Sequence, residues 1–314
     1  MQRRGGEQDR RRGAWGAPLA ATVTATAAAV AAALPAPAAQ AAPGPSVGAK
    51  GAYLMDAHSG RSLWGKAATV RRPMASTTKI MTAVVVLDTP GADLDRQIEI
   101  KQSYRDYVQR TEASTADLRT GDKLTARQLL YALMLPSGCD AAYALADAFG
   151  TGPDEAARTK SFIAKMNAKA RQLKLGGTNY DSFDGISSAG RNYSTPQDLA
   201  VLSLHALRNS TFRTVTGALN TQQKAKNVNR LYTWYNTNKL LGSYGGVTGV
   251  KTGTTSAAGP CLVFAARSGG RSVVGVILND AASRYPDAAE MLDYAFKKHT
   301  PLNLRRLPSA AHED

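Results

Sequence analysis

Ser76-Thr77-Thr78-Lys79-Ile80-Met81-Thr82-Ala83-Val84-Val85-Val86-Leu87 is the stretch on which the fold turns. Its apolar residues run almost without a break, so no clear period emerges. The β-branched residues suit a strand, while the length suits a buried helix. Chemistry decides between them. On a helix, residues three apart share a face, which brings the Ser76 hydroxyl and the Lys79 amine within hydrogen-bond reach. A serine hydroxyl is a weak nucleophile until a base takes its proton. A lysine serves as that base when desolvation or a neighbouring cation lowers its pKa, and the flank Ile80-Met81-Thr82-Ala83 helps exclude water. Taken alone, Ser-x-x-Lys is weak evidence and reads more simply as an ordinary surface helix turn.

Two further segments change that balance. Thr125 caps a helix expected over 126–135, which Pro136 ends, and a second helix runs over 140–149 to Gly150. Pro136-Ser137-Gly138-Cys139 falls at the break between them, where a side chain is presented into a cleft. Val250-Lys251-Thr252-Gly253-Thr254 reads as a strand on which Lys251 and Gly253 point one way and Thr252 the other. Glycine there lets a substrate backbone approach the strand edge.

Working outward, residues 52–55 and 61–64 flank the turn Asp56-Ala57-His58-Ser59-Gly60 as a hairpin. Pro153, Asp154 and Glu155 open a third helix, with Phe162, Met166 and Leu173 on one face and Gly176 past its end. Ser194-Thr195-Pro196 starts a fourth, with Leu199, Leu202 and Leu207 facing inward. Strands over 247–254, 261–266 and 272–278 alternate with Gly-rich turns, and a closing helix spans 287–298. A hairpin, a helical middle, then strands and a helix predict an α+β protein: an antiparallel sheet flanked by helices plus an all-helical subdomain. The N-terminal strands must pair with the C-terminal ones to make a single sheet.

The chain of 314 residues is 43% apolar with 20% charged residues, which excludes a disordered polymer and allows a sizeable core; its formal charge is +15. Residues 1–41 stand apart. Arg3, Arg4, Arg10, Arg11 and Arg12 precede an Ala-rich apolar run from Pro18 to Leu34, and Ala39-Gln40-Ala41 follows as a small-x-small site. Basic, apolar, then small is the order of a cleaved signal peptide; an uncleaved N-terminal anchor is the rival. The organisation expected is therefore a signal peptide over 1–41, a flexible lead-in over 42–50, one catalytic domain over 51–300 and a tail over 301–314. The protein is expected to be exported, either secreted or associated with the cell wall. Its basic charge is scattered and no nucleic-acid motif appears, so attraction to an anionic envelope is the simpler use. Two cysteines, Cys139 and Cys261, permit a disulfide in an oxidising compartment, but Cys261 falls on the strand after Lys251-Thr252-Gly253 with Cys139 expected across the cleft, so pairing is the less expected state.

Ser-x-x-Lys, then Ser-Gly-x about 60 residues on, then Lys-Thr-Gly more than 100 residues later is the motif order of the penicillin-binding and serine β-lactamase superfamily. More widely, the chain resembles the low-molecular-mass D-alanyl-D-alanine peptidases, peptidase family S11, from about residue 50 to 298. Leu133 to Gly138, Asn192 to Leu199, Asn236 to Leu241 and Gly249 to Gly253 carry the likeness besides the Ser76 segment. The resemblance implies an active-site cleft between sheet and helical subdomain, no cofactor and no metal. It implies peptidoglycan stem peptides ending in D-Ala-D-Ala as substrates and β-lactams as covalent inhibitors. Ser76 would attack the penultimate D-alanine carbonyl, Lys79 take its proton, and Ser137 relay a proton to the leaving amine. Lys251 would supply positive charge and attract the substrate carboxylate. Thr252 and Thr254 would hydrogen-bond that carboxylate on the strand carrying Gly253, and the N–H groups of Ser76 and Thr254 would form the oxyanion hole. Cys139 stands where the second motif usually has Asn; the likeness is to the DD-transpeptidase subgroup with Ser-Gly-Cys. Being a weak donor and acceptor, cysteine leaves efficient hydrolysis in question, and a DD-carboxypeptidase and a DD-transpeptidase both stay open.

Rivals are weaker. A class A β-lactamase would need Glu-x-x-Leu-Asn between Ser137 and Lys251, and none occurs. His58, His205, His299 and His312 are isolated, against a metallopeptidase. No Gly-x-Ser-x-Gly elbow surrounds either candidate serine, Ser76 or Ser137, against a Ser-His-Asp hydrolase. A non-catalytic envelope-binding protein would be expected to lose one of the reactive Ser or Lys residues. The chain ends soon after residue 298, with no C-terminal membrane anchor expected.

Overall fold

The computed structural model describes residues 44–281 and 284–311; the expected signal segment, the start of the lead-in and His312 lie outside them. The principal sheet holds β1 (Gly51–Asp56), β2 (Ser62–Lys66), β9 (Val247–Gly253), β10 (Cys261–Ser268) and β11 (Arg271–Leu278). Their order is β2-β1-β11-β10-β9, antiparallel throughout. The pairing of β1 with β11, from Gly51↔Leu278 to Asp56↔Val273, is the expected closure of the chain's two ends into one sheet. Three two-stranded ribbons decorate the rest: β3 (Arg72–Pro73) with β6 (Tyr193–Ser194), β4 (Gln97–Glu99) with β5 (Lys123–Thr125), and β7 (Asn220–Lys224) with β8 (Leu231–Tyr235).

Eight helices are described: α1 (Lys79–Leu87), α2 (Gln102–Thr111), α3 (Ala126–Met134), α4 (Cys139–Phe149), α5 (Glu155–Gln172), α6 (Pro196–Ala206), α7 (Ser210–Gly217) and α8 (Arg284–Phe296). The sheet's alternation sorts them into layers. Tyr53, Met55, Val274 and Val276 belong to the core shared with α1, α3, α4 and α6. Leu54, Leu262, Phe264 and Ile277 pack with Ala288, Met291 and Leu292 of α8. Gly275 is needed on that second face, since a Cβ there would stand 2.0 Å from the Phe264 ring.

The ambiguous run is a helix entered through a 3-10 turn, Ala75–Thr78. Helix α1 is buried along all but its last residue and packs against α3, α4, α5 and α6. A helix enclosed on every side has no polar face to set a period, which is why periodicity was silent. Thr125 and Gln128 cap α3 reciprocally, a capping box contributing about 1 kcal/mol. Helix α8 begins three residues before the expected start. Helix α2 went unforeseen because its sequence is largely polar and buries only Tyr104.

Candidate active site

Three residues per turn eclipse positions i and i+3 in a 3-10 turn, so Ser76 and Lys79 meet more directly than on an α-helix. Lys79 Nζ donates to Ser76 Oγ at 2.8 Å. The turn is fixed by its own threonines: Thr77 Oγ1 donates to the Met74 carbonyl at 2.6 Å and Thr78 Oγ1 to that of Ala75 at 2.8 Å. Asn192 Nδ2, from a segment far along the chain, donates to Thr78 Oγ1 at 2.7 Å. Ala75 itself has φ +47°, a strained value for a residue with a Cβ.

Two glycines let other segments clamp that turn. A Cβ at Gly185, where φ is +105°, would lie 2.1 Å from the Ala75 carbonyl oxygen; one at Gly253 would lie 2.8 Å from Ser76 N. The sequence suggested that Gly253 admits a substrate backbone. The structure adds a use for its missing side chain, which is to let the end of β9 press against the Ser76 turn.

Lys79 is wholly buried. Besides Ser76, its Nζ donates to the Asp184 carbonyl at 3.0 Å and to Cys139 Sγ at 3.3 Å. Among the described residues no carboxylate oxygen pairs with it. The Asp184 carboxylate is held instead by Tyr107 OH at 2.7 Å and Ile186 N at 2.9 Å. Burial, and then that carboxylate, push the Tyr107 phenol upward, so it remains a donor.

Ser137 sits at φ +65° with its hydroxyl buried and without a hydrogen-bond partner among the described residues. Strain and an unsatisfied polar atom together mark a position held for use rather than for stability. The 114–118 segment holds it there. Ser114 Oγ donates to the Ser137 carbonyl at 2.6 Å, and Cys139 N donates to the Ser114 carbonyl at 2.8 Å. The Asp140 carboxylate accepts from Ala116 N at 2.9 Å, Leu118 N at 3.1 Å and Thr115 Oγ1 at 2.8 Å. Cys139 is 1% exposed, and burial pushes its thiol up to about 12 against the pull of Lys79. Cys139 and Cys261 are both free and buried. The oxidising-compartment disulfide is therefore not formed.

Lys251 and Thr252 are buried too. Lys251 Nζ donates to the Thr252 carbonyl at 3.0 Å, and the Thr252 and Thr237 hydroxyls share a 2.6 Å hydrogen bond. A cleft of about 750 Å³ opens over the Ser76 turn, and Ser76, Cys139 and Thr254 line it with Ser114 and Asn192. Lys251, Thr252, Gly253 and Ser137 are not among its lining residues. Arg284 Nη1 donates to Thr254 Oγ1 at 3.0 Å at the rim. Asp184, Asp140 and Arg284 carried no motif signal. The remaining described histidines lie elsewhere, His205 Nε2 standing 2.7 Å from Asp88 Oδ2.

A cleft-lining serine bonded to a buried lysine at the head of a central helix, between an antiparallel sheet and a helical lobe, defines the penicillin-binding class of serine peptidase fold. Residues 37–282 match the model of peptidase family S11, D-alanyl-D-alanine carboxypeptidase, and the chain belongs to that family. It is 50% identical over 258 residues to the D-alanyl-D-alanine carboxypeptidase of Streptomyces sp. (strain K15), covering 80% of this chain and 88% of that protein. It is 30% identical over 256 residues to the D-alanyl-D-alanine carboxypeptidase DacF of Bacillus subtilis (strain 168), covering 80% of this chain but 63% of that longer relative. The crystal structure of the Streptomyces K15 DD-transpeptidase superposes with a TM-score of 0.79 at 49% identity, over 81% of this chain and 99% of that one.

Proposed function

We propose that this chain is a serine-type D-Ala-D-Ala carboxypeptidase acting on peptidoglycan stem peptides through an acyl-Ser76 intermediate. The observation that carries the reading is the 2.8 Å contact between Ser76 Oγ and a fully buried Lys79, set at the base of an open cleft.

In this mechanism Ser76 Oγ attacks the carbonyl of the penultimate D-alanine as its proton passes to Lys79. The developing oxyanion is received by backbone N–H groups of Ser76 and Thr254. Ser76 N lies in the first turn of its helix, where amides lack intrahelical acceptors; such a donor contributes about 3–4 kcal/mol to the transition state. Ser137, whose hydroxyl has no other described partner, passes a proton to the leaving D-alanine amine as the C–N bond breaks. Lys251 supplies the charge and Thr254 the cleft-lining hydroxyl that receive the substrate's terminal carboxylate, with Thr252, bonded to Thr237, supporting the strand beside them. Water then attacks the ester, releasing the shortened peptide and returning the proton to Ser76. β-Lactams acylate the same serine as substrate mimics, and the protein works outside the cytoplasm after export by its N-terminal segment.

A second reading, DD-transpeptidase, is favoured by Cys139 at the Asn position and by the similarity to a transpeptidase structure. There an amino group of another peptide, rather than water, takes the acyl group. The test is a donor peptide ending in D-Ala-D-Ala, incubated with and without an amine acceptor while both products are counted. Hydrolysed peptide predominating in both supports the carboxypeptidase. Transferred peptide predominating whenever acceptor is present overturns it in favour of the second reading.

A further inference from the structure

The C-terminal segment does more than end the chain. After α8 it turns back along the sheet, with Thr300 N donating to Asp293 Oδ2 at 2.8 Å and Leu302 and Leu304 packing on the α8 core. Arg305 N then donates to Ser243 Oγ at 2.8 Å. Its guanidinium Nη2 donates to two backbone carbonyls, those of Asn236 and Asn238, the latter at 3.1 Å. Ala310 and Ala311 finally reach a cavity wall shared with Pro136 and Trp234.

The residue between those two carbonyls is Thr237, and Thr237 touches both sides of the cleft. Its N–H donates to the Leu135 carbonyl at 3.1 Å, two residues before Ser137. Its hydroxyl shares the 2.6 Å hydrogen bond with Thr252 of β9. Its carbonyl accepts from Tyr285 OH of α8 at 3.1 Å. The carbonyls on either side of this junction are both bonded by one guanidinium nitrogen, Nη2, which ties their spacing to a single atom.

Arg305 meets no carboxylate among the described residues, and its Nε is buried without a partner. Burial holds its pKa below the ordinary arginine value. Placing a cation against bare carbonyls costs desolvation that an ion pair would offset; what it gains here is the fixed spacing of the junction.

We infer that Arg305 is a positioning residue: by clamping Asn236 and Asn238 it holds Thr237 as the brace that sets the Ser137 turn against the Lys251–Thr252 strand. The inference rests on the acyl-serine reading above, and its ligand chemistry is that of the same D-Ala-D-Ala site.

The experiment uses the full chain and reads the rate of Ser76 acylation by a fluorescent penicillin per folded molecule, beside the melting temperature. Arg305→Ala and Thr237→Val are each expected to slow acylation about ten- to a hundred-fold, the scale on which small misplacements near a reacting centre act. The double variant is expected to be no slower than the worse single one, because both break one brace. Arg305→Lys keeps the charge but ends one atom short of the Nη2 position, and should recover less than half of the lost rate. An Arg305→Ala protein that melts earlier yet acylates at the wild-type rate overturns the inference, as do multiplicative losses in the double variant. If Arg305→Ala does not fold, a wild-type rate in Arg305→Lys overturns it equally. A wild-type protein that takes no label defeats the acyl-serine reading itself, so the two failures are distinct.

Discussion

Lys79 Nζ donates to Cys139 Sγ at 3.3 Å, so a thiol occupies the position from which an asparagine amide would face the same amine. Sulfur is a weak acceptor and a protonated thiol a weak donor, and Cys139 therefore holds Lys79 loosely while offering little to a bound substrate. Replacing it by Asn is expected to raise the proportion of donor peptide that is hydrolysed rather than transferred, several-fold. Product counting with and without amine acceptor measures it, and an unchanged ratio would show that Cys139 does not govern deacylation.

The same thiol is expected to be inert. Burial moves it up to about 12 and Cys261 up to about 11, and only the thiolate reacts with alkylating agents. Since a raised pKa means the thiolate appears only at strongly alkaline pH, both cysteines of the native protein should resist iodoacetamide at pH 8 for hours. Both should react after unfolding in denaturant. Rapid native labelling of Cys139 would contradict the assigned burial.

Gly185 tests the clamp on the nucleophile turn. An added Cβ meets the Ala75 carbonyl at 2.1 Å and must also accept φ +105°. Gly185→Ala is expected to destabilise the fold by about 1–3 kcal/mol, the range for a strained backbone. Penicillin acylation should fall by more than stability alone explains. Thermal melting and labelling rate, measured together, separate the two effects.

Asp147 gives the pH dependence. Burial alone would raise its carboxyl, but hydrogen bonds from Arg158, Lys101 and Tyr104 outweigh burial and hold it below the usual carboxylate range. A depressed folded-state pKa contributes stability that is present above the unfolded value of about 3.9 and is lost as pH falls through the folded value. Asp147→Asn should therefore lower the melting temperature at neutral pH. The gap from wild type should close as pH drops below about 4, and a gap constant down to pH 2 would contradict this account.

These residues also show what the sequence could disclose. Ser76 and Lys79 were readable because one helical turn brings them together, and Ser137 and Lys251 because their triplets recur in a fixed order. The closure of β1 onto β11 followed from the need of a lone hairpin for sheet partners. Asp184 and Gly185 were not readable: they reach Lys79 and Ala75 across more than 100 positions, and Asp184 contributes a backbone carbonyl that any residue possesses. Asp140 stood beside the second motif, yet its bonds run to backbone amides of the 116–118 segment, which no side-chain pattern announces. Gly253 has a further neighbour, the Ser76 turn, that was not readable because a sequence shows that a Cβ is missing but not what packs there.

The central claim is that Ser76 becomes covalently acylated. Exposing the purified protein to penicillin and mapping the adduct by mass spectrometry tests it most directly. The account predicts one stoichiometric adduct, on the peptide containing Ser76, and none in Ser76→Ala. An adduct on another residue, or one that persists in the Ser76→Ala protein, would contradict it.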